Sequence, residues 1–235
     1  KDWKVTKCKL SYMFKGCSTL QHLDGLNGWK ISNCDLSGMF EGCSSLQNLN
    51  GLKDWKVTKC KLSYMFKGCS TLQHLDGLNG WNISDCDFSN MFEGFSSLQN
   101  VNGLNDWKVP NTSTFSNMFK GCSSLQNIDG LKNWGVLAAS ELSSMFEGCS
   151  SLQNLDGLKE WKFYNKDNRY KQHTNNFSNM FKGCSSLQNL DGLKEWNISR
   201  NAGLRNNFSN MFEGCSSLQD LDGLKYWMVS GTKYK

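Results

Sequence analysis

Cysteine is the residue type with the most chemical capacity in this chain, and its eleven copies fall into two registers. Cys17, Cys43, Cys69, Cys122, Cys149, Cys184 and Cys215 each follow a glycine, with Phe95 standing once in the same place; Cys8, Cys34, Cys60 and Cys86 form the second register. Thiols repeated in this way offer disulfides or a soft-metal site. No Cys-x-x-Cys pair occurs, so zinc finds no ligand set of the usual spacing. Phe95 marks its register as an apolar, buried slot and leaves Cys86 without a thiol in its own repeat. Buried free thiols are the expectation, with disulfides the alternative. Histidine offers less: His22 and His74 are copies of one position, and His173 lies in an insertion. No Ser–His–Asp triad, carboxylate pair or phosphate loop assembles around them, so neither an enzyme nor a cofactor is expected. Asp24, Asp76, Asp129, Asp156, Asp191 and Asp222, with Asn50 and Asn102, precede glycine. Calcium is weighed and set aside, because Asp-Gly is a common turn pair and no loop has calcium-ligand spacing.

Two further rows have chemistry by repetition. Lys15, Glu41, Lys67, Glu93, Lys120, Glu147, Lys182 and Glu213 alternate in sign through the whole chain. Stacked neighbours of one sign would repel, whereas alternation makes a row of opposite pairs, each worth about 0.2–1 kcal/mol when exposed. A register device between coils is the reading, with inheritance from a duplicated unit the alternative. Lys stands in the first coil and Glu in the last, so head-to-tail self-association would continue the series. Gln21, Gln47, Gln73, Gln99, Gln126, Gln153, Gln188 and Gln219 form an unbroken glutamine row. It reads either as a flat polar binding face or as structural amide stacking.

These rows exist because the chain repeats. Tryptophans at 3, 29, 55, 81, 107, 134, 161, 196 and 227 set intervals of 26 to 35 residues, and residues 1–29 are identical to 53–81. A period of this length is the signature of a solenoid or array. Residues 1–235 therefore read as a single continuous solenoid of about eight coils, with longer edge loops at 162–176 and 197–207. One coil cannot bury its own apolar side chains on both faces; stacking joins Trp, Phe, Met and Leu into columns. Within a coil, Ser11 reads as the cap of one α or 3₁₀ turn over Tyr12–Lys15, closed by Gly16. LQHLDGL, with its L-x-x-L spacing, reads as a short strand, and Trp3-Lys4-Val5 as a second.

The pattern MFxGCSSLxxLDGLxxWxV resembles the repeat of surface proteins found in mycoplasmas and lactobacilli, a relative of the BspA-like leucine-rich repeat. The resemblance covers essentially the whole chain. After the tryptophan, the Val-Ser-Asn-Val-Thr run of that family survives only in parts, such as Asn82-Ile83-Ser84, and the first four coils are one residue short. It implies right-handed solenoids at the cell surface, engaged in adhesion or host contact, with no known catalysis.

Composition bounds the partners. A net charge of +5 lacks the basic stripe of a nucleic-acid binder. No apolar run nears 18 residues, so no membrane span is expected. The chain starts without Met or a signal-like segment and closes in mid-repeat, which reads as a processed product or a piece of a longer array. Tyr164, Lys166, Arg169, Tyr170, Lys171, Arg200 and Arg205 in the two edge loops read as a contact for an acidic partner or anionic glycan, against the plainer reading of solvated loops. Asn82, Asn111, Asn176, Asn197 and Asn207 fit Asn-x-Ser/Thr, which matters only if a glycosylating cell exports the chain. The functional expectation is an extracellular or cell-surface adhesion or interaction scaffold with a protein or glycan partner. The alternative is a subunit of an extracellular filament built by end-to-end stacking.

Overall fold

The computed structural model describes residues 3–81, 83, 86–109, 114–134, 141–161, 163, 175–196, 198, 206–225 and 227. Each tryptophan interval is one coil, and successive coils stack in parallel, like residue over like residue. Strand β1 (Lys4–Thr6) pairs with β2 (Lys30–Ser32) in the register Lys4 to Lys30 and Val5 to Ile31. Val5 and Ile31 point inward while their neighbours face out, as the alternation of Trp3-Lys4-Val5 predicts. Farther along the coil, a line of single parallel bridges joins Lys9, Asp35, Lys61, Asp87, Thr114, Glu141, Asn176 and Asn207.

The helical turn lies elsewhere than the sequence suggests. One 3₁₀ turn per coil forms at the Asp/Asn-Gly-Leu triplet: Asp24–Leu26, Asn50–Leu52, Asp76–Leu78, Asn102–Leu104, Asp129–Leu131, Asp156–Leu158, Asp191–Leu193 and Asp222–Leu224. Its entry is fixed in four of the eight coils by the Asn two residues earlier. Asn48, Asn100, Asn154 and Asn189 each accept the N–H of the first turn residue through the side-chain oxygen. This is the Asx turn that such side chains form locally. The preceding Leu-Gln-x-Leu is not a strand in any coil, although backbone N–H groups still reach the coil below it.

The predicted helical turn at Ser11–Lys15 is instead a zigzag that serves two partners alternately. Met13, Lys15 and Cys17 donate back to Leu10, Tyr12 and Phe14 in the same coil, closing tight turns. Leu10, Tyr12, Phe14 and Gly16 donate forward to Asp35, Ser37, Met39 and Glu41 in the next coil. Tyr12 at φ 61° and Gly16 at φ 74° supply the positive φ that such alternation needs. Every second N–H thus belongs to the stack, so the segment is neither helix nor ladder.

Columns of aromatic rings fill the core. The nine tryptophans stack with centroids 5.9 to 6.3 Å apart and planes within 9°. Phe14, Phe40, Phe66, Phe92, Phe119, Phe146, Phe181 and Phe212 form a second column at 5.5 to 6.0 Å. Offset-stacked rings contribute about 0.5–1.5 kcal/mol per pair beyond area burial. Each buried indole also places its polar edge: Trp55 Nε1 donates to Leu26 O, Trp81 to Leu52 and Trp107 to Leu78, all at 3.0 Å. The Leu carbonyl that ends each 3₁₀ turn is therefore the anchor of a tryptophan farther along the stack.

Candidate functional site in the surface rows

The lysine–glutamate row is real but discontinuous. Lys15 meets Glu41 at 3.2 Å, Lys67 meets Glu93 at 3.0 Å, and Lys120–Glu147 and Lys182–Glu213 both close at 3.1 Å. Among the described residues no Glu in the row pairs with the Lys of the following coil. The expected continuous row of opposite pairs is thus four discrete bridges, each running from a Lys to the Glu one coil later. Lys15 and Lys67 also lie over the rings of Tyr12 and Tyr64, at 4.9 and 5.5 Å. At Glu147 burial pushes the carboxyl pKa up, but hydrogen bonds from Ser144 and Lys120 and the Lys120 charge outweigh it, and the net shift is downward. A head-to-tail joint would set Glu213 against Lys15, the step that the interior leaves unbridged. The row therefore gives such a joint no ion pair of the kind it makes inside the stack.

A second charged row escaped the sequence reading. The bridge positions run Lys9, Asp35, Lys61, Asp87 and then Thr114, Glu141, Asn176 and Asn207. Over the first four coils they share the sign order of the lysine–glutamate row, and Lys61 Nζ lies 3.9 Å from Asp35. Asp35, Asp87, Asn176 and Asn207 each accept the N–H of the serine two residues on. The same six-residue offset from the known row was the signal that would have revealed it.

All eight glutamines of the row are exposed, and their backbones are stitched coil to coil, Gln47 to Gln21, Gln99 to Gln73 and Gln126 to Gln99 among them. Backbone bonds at 3.0 to 3.3 Å fix the spacing of the row, which leaves the carboxamides facing solvent. Among the Asp-Gly carboxylates, Asp156 and Asp191 hold Lys159 and Lys194 at 2.8 and 2.7 Å. Among the described residues no group of three or more His, Cys, Asp and Glu is placed to hold a metal. His22 and His74 occupy the exposed Asn position ahead of the 3₁₀ turn.

Among the described residues none of the eleven cysteines is joined in a disulfide. Their column has a bonding role that sequence alone did not show. Cys43, Cys69, Cys122, Cys149 and Cys184 donate their thiols to Phe14, Phe40, Phe92, Phe119 and Phe146 carbonyls of the preceding coil at 3.2 to 3.3 Å. Burial pushes Cys43 and Cys60 up to about 11, and Cys69, Cys149 and Cys184 well above the usual thiol range.

The proposed partner-contact residues Tyr164, Lys166, Arg169, Tyr170, Lys171, Arg200 and Arg205 lie outside the described residues. The edges of those insertions do not: Phe163 is a core residue, edge-on to Trp161, Phe177 and Trp196, and Asn176 and Asn207 belong to the bridge line. The extra residues are therefore fewer than 162–176 and 197–207 suggest, because the Trp-x-apolar and Asn-Phe-Ser positions of the coil are retained at both edges. No helix among the described residues is long and apolar enough to cross a membrane.

No curated protein and no solved structure matches the chain. The family described as "Mycoplasma protein of unknown function, DUF285" matches residues 8–127, 60–175 and 168–234, overlapping segments that together span nearly the whole sequence. With its coils accounted for from one end of the described stack to the other, the chain belongs to this mycoplasma repeat family.

Proposed function

We propose that the chain is a non-enzymatic interaction scaffold, exported and displayed at the cell surface, where it engages a protein or glycan partner. In this reading the solenoid is right-handed, as parallel connections in sheets almost always are, and leucine-rich-repeat-like in the spacing of its Leu-Gln-x-Leu segment. The observation that supports it is the glutamine row, eight exposed carboxamides fixed one per coil by the hydrogen-bonded backbone beneath them. Elsewhere polar groups are largely used up within the stack: thiols on Phe carbonyls, indoles on Leu carbonyls, serine hydroxyls on serine carbonyls. A rigid file of unspent amides suits an extended partner with a regular set of donors and acceptors, and it offers no nucleophile or base for turnover.

The test is binding of the purified chain to host-cell surfaces and immobilised glycans, beside a variant with Gln99→Ala, Gln126→Ala and Gln153→Ala. The expected result is saturable binding by the parent and a loss of at least about tenfold in the variant, whose circular dichroism is unchanged. Equal binding by both would overturn the role of the row, and no binding to any surface would overturn the scaffold reading.

A further inference from the structure

Charge is banded along the stack, and the bands have a symmetry that the intramolecular pairs do not require. In sequence, the third coil (residues 55–80) carries Lys56, Lys59, Lys61 and Lys67 against Asp76 alone. The fourth (81–106) carries Asp85, Asp87, Glu93 and Asp106 and no Lys or Arg. The fifth (107–133) is positive again through Lys108, Lys120 and Lys132 against Asp129, and the sixth (134–160) negative through Glu141, Glu147, Asp156 and Glu160 against Lys159. Two rows concentrate this on one face, the bridge line and the lysine–glutamate row six residues farther on. Between and beside them stand mainly serines, asparagines and glycines: the glycines next to the charged row stack Cα over Cα from Gly16 to Gly214, and the rings that rise beside it, Tyr12 and Tyr64, lie under the ammonium groups of Lys15 and Lys67.

We propose that this face binds the same face of a second copy, antiparallel, about a two-fold axis lying in the face and crossing the row between Glu93 and Lys120. An isologous contact needs a surface complementary to itself. Reversing the direction of a strictly alternating row sets every charge against its opposite: Glu93 faces Lys120, Lys67 faces Glu147, Glu41 faces Lys182 and Lys15 faces Glu213. A parallel, unshifted pair would set like against like throughout. The bridge line agrees, because Lys61 then faces Glu141 and the remaining charges face Thr114, Asn176 and Asn207.

The groups have capacity for a second partner. Each Lys ammonium has three donors, and each carboxylate accepts at several lone pairs. Their side chains stay accessible while bridged, 37% for Lys67 and 22% for Glu93, and 38% and 24% for Lys120 and Glu147. Eight coils at about 4.8 Å give the face a length of roughly 38 Å, of the order that a contact of about 800 Å² per partner needs. Complementarity of this kind sets orientation and association rate, and it weakens with salt.

The experiment is sedimentation velocity of the 235-residue chain at 50 and 500 mM NaCl, with a second protein whose row is inverted, each Lys of the row exchanged for Glu and each Glu for Lys. Inversion leaves three Lys-to-Glu steps within the row in place of four, at positions 41–67, 93–120 and 147–182, and touches no core residue, so the variant retains the stack. The expected result is a dimer at low salt for each protein alone, with a dissociation constant about tenfold weaker at high salt. Differently tagged parent and inverted chains should not form mixed dimers, since their rows then face like to like. A monomer at both salts up to millimolar concentration, an open series of larger species, or mixed dimers as abundant as like dimers would each overturn the proposal.

Discussion

A buried thiol in this stack takes a carbonyl that already has one partner. Phe40 O accepts the N–H of Cys43 in its own coil and the S–H of Cys69 in the next, so the oxygen bonds to both coils at once. Phe95 shows what the slot tolerates, for it fills the space and leaves Phe66 O with the N–H of Cys69 alone. The apolar nature of the position was legible from that one substitution; the hydrogen bond was not, because its acceptor lies on another coil. Desolvation raises the thiols, and the sign of the consequence follows. Cys43 and Cys60 rise from 9.0 to about 11 in the folded chain, which therefore keeps protons that the unfolded chain releases. The stability from these thiols is whole below pH 9 and is lost as pH rises toward 11 and through it. Urea midpoints should hold steady to about pH 8.5 and then decline. A variant with Cys43→Ala and Cys60→Ala should start lower and decline less steeply, while lysine deprotonation affects both proteins alike. Parallel slopes would show that these thiols do not titrate with unfolding.

At the scale of the element, the 3₁₀ turn shows where local reading stops. Asp-Gly read as a turn pair, and the turn is there, but Gly51, Gly77, Gly103, Gly130, Gly157, Gly192 and Gly223 have no positive φ. Their need is space: a Cβ at Gly103 would overlap the carbonyl of Leu75 one coil before. The tryptophan interval was plain because a bulky residue at a fixed period declares itself in sequence. A close approach between backbones leaves only a small residue, which many causes can explain, so the Leu-x-x-Leu spacing pulled the reading toward a strand. Gly103→Ala should cost about 1–3 kcal/mol, because the neighbour is backbone and cannot swing aside. Gly25 holds the same place in its own coil, within Asp24-Gly25-Leu26, and has open space around its Cα. Gly25→Ala should be neutral or stabilising by up to about 1 kcal/mol. Denaturant unfolding of the two variants separates the explanations, since equal effects would mean that turn conformation, not inter-coil contact, selects the glycine.

For the whole molecule, the physical unit is two coils even though the geometric unit is one. Trp, Phe, Leu and Cys columns continue through any whole-coil excision, because each coil presents the same residues to its neighbours. The bridges do not. Excising residues 55–106 removes two coils and brings Glu41 before Lys120, the order already found at every unbridged step. Excising residues 81–106 removes one coil, breaks the Lys67–Glu93 bridge and sets Lys67 beside Lys120. The six-coil protein should unfold cooperatively with stability reduced in proportion to its lost coils. The seven-coil protein should carry an added penalty on the order of 0.5 kcal/mol from the like-charged pair. Salt separates this penalty from ordinary length effects. Raising NaCl screens repulsion at the new joint, so the seven-coil midpoint should rise relative to the parent, whereas the six-coil midpoint should follow the parent. A seven-coil protein that responds to salt as the parent does would mean that sign alternation is inherited from the duplicated 52-residue unit without energetic consequence, and the two-fold pairing of faces would then have to stand on its own sedimentation result.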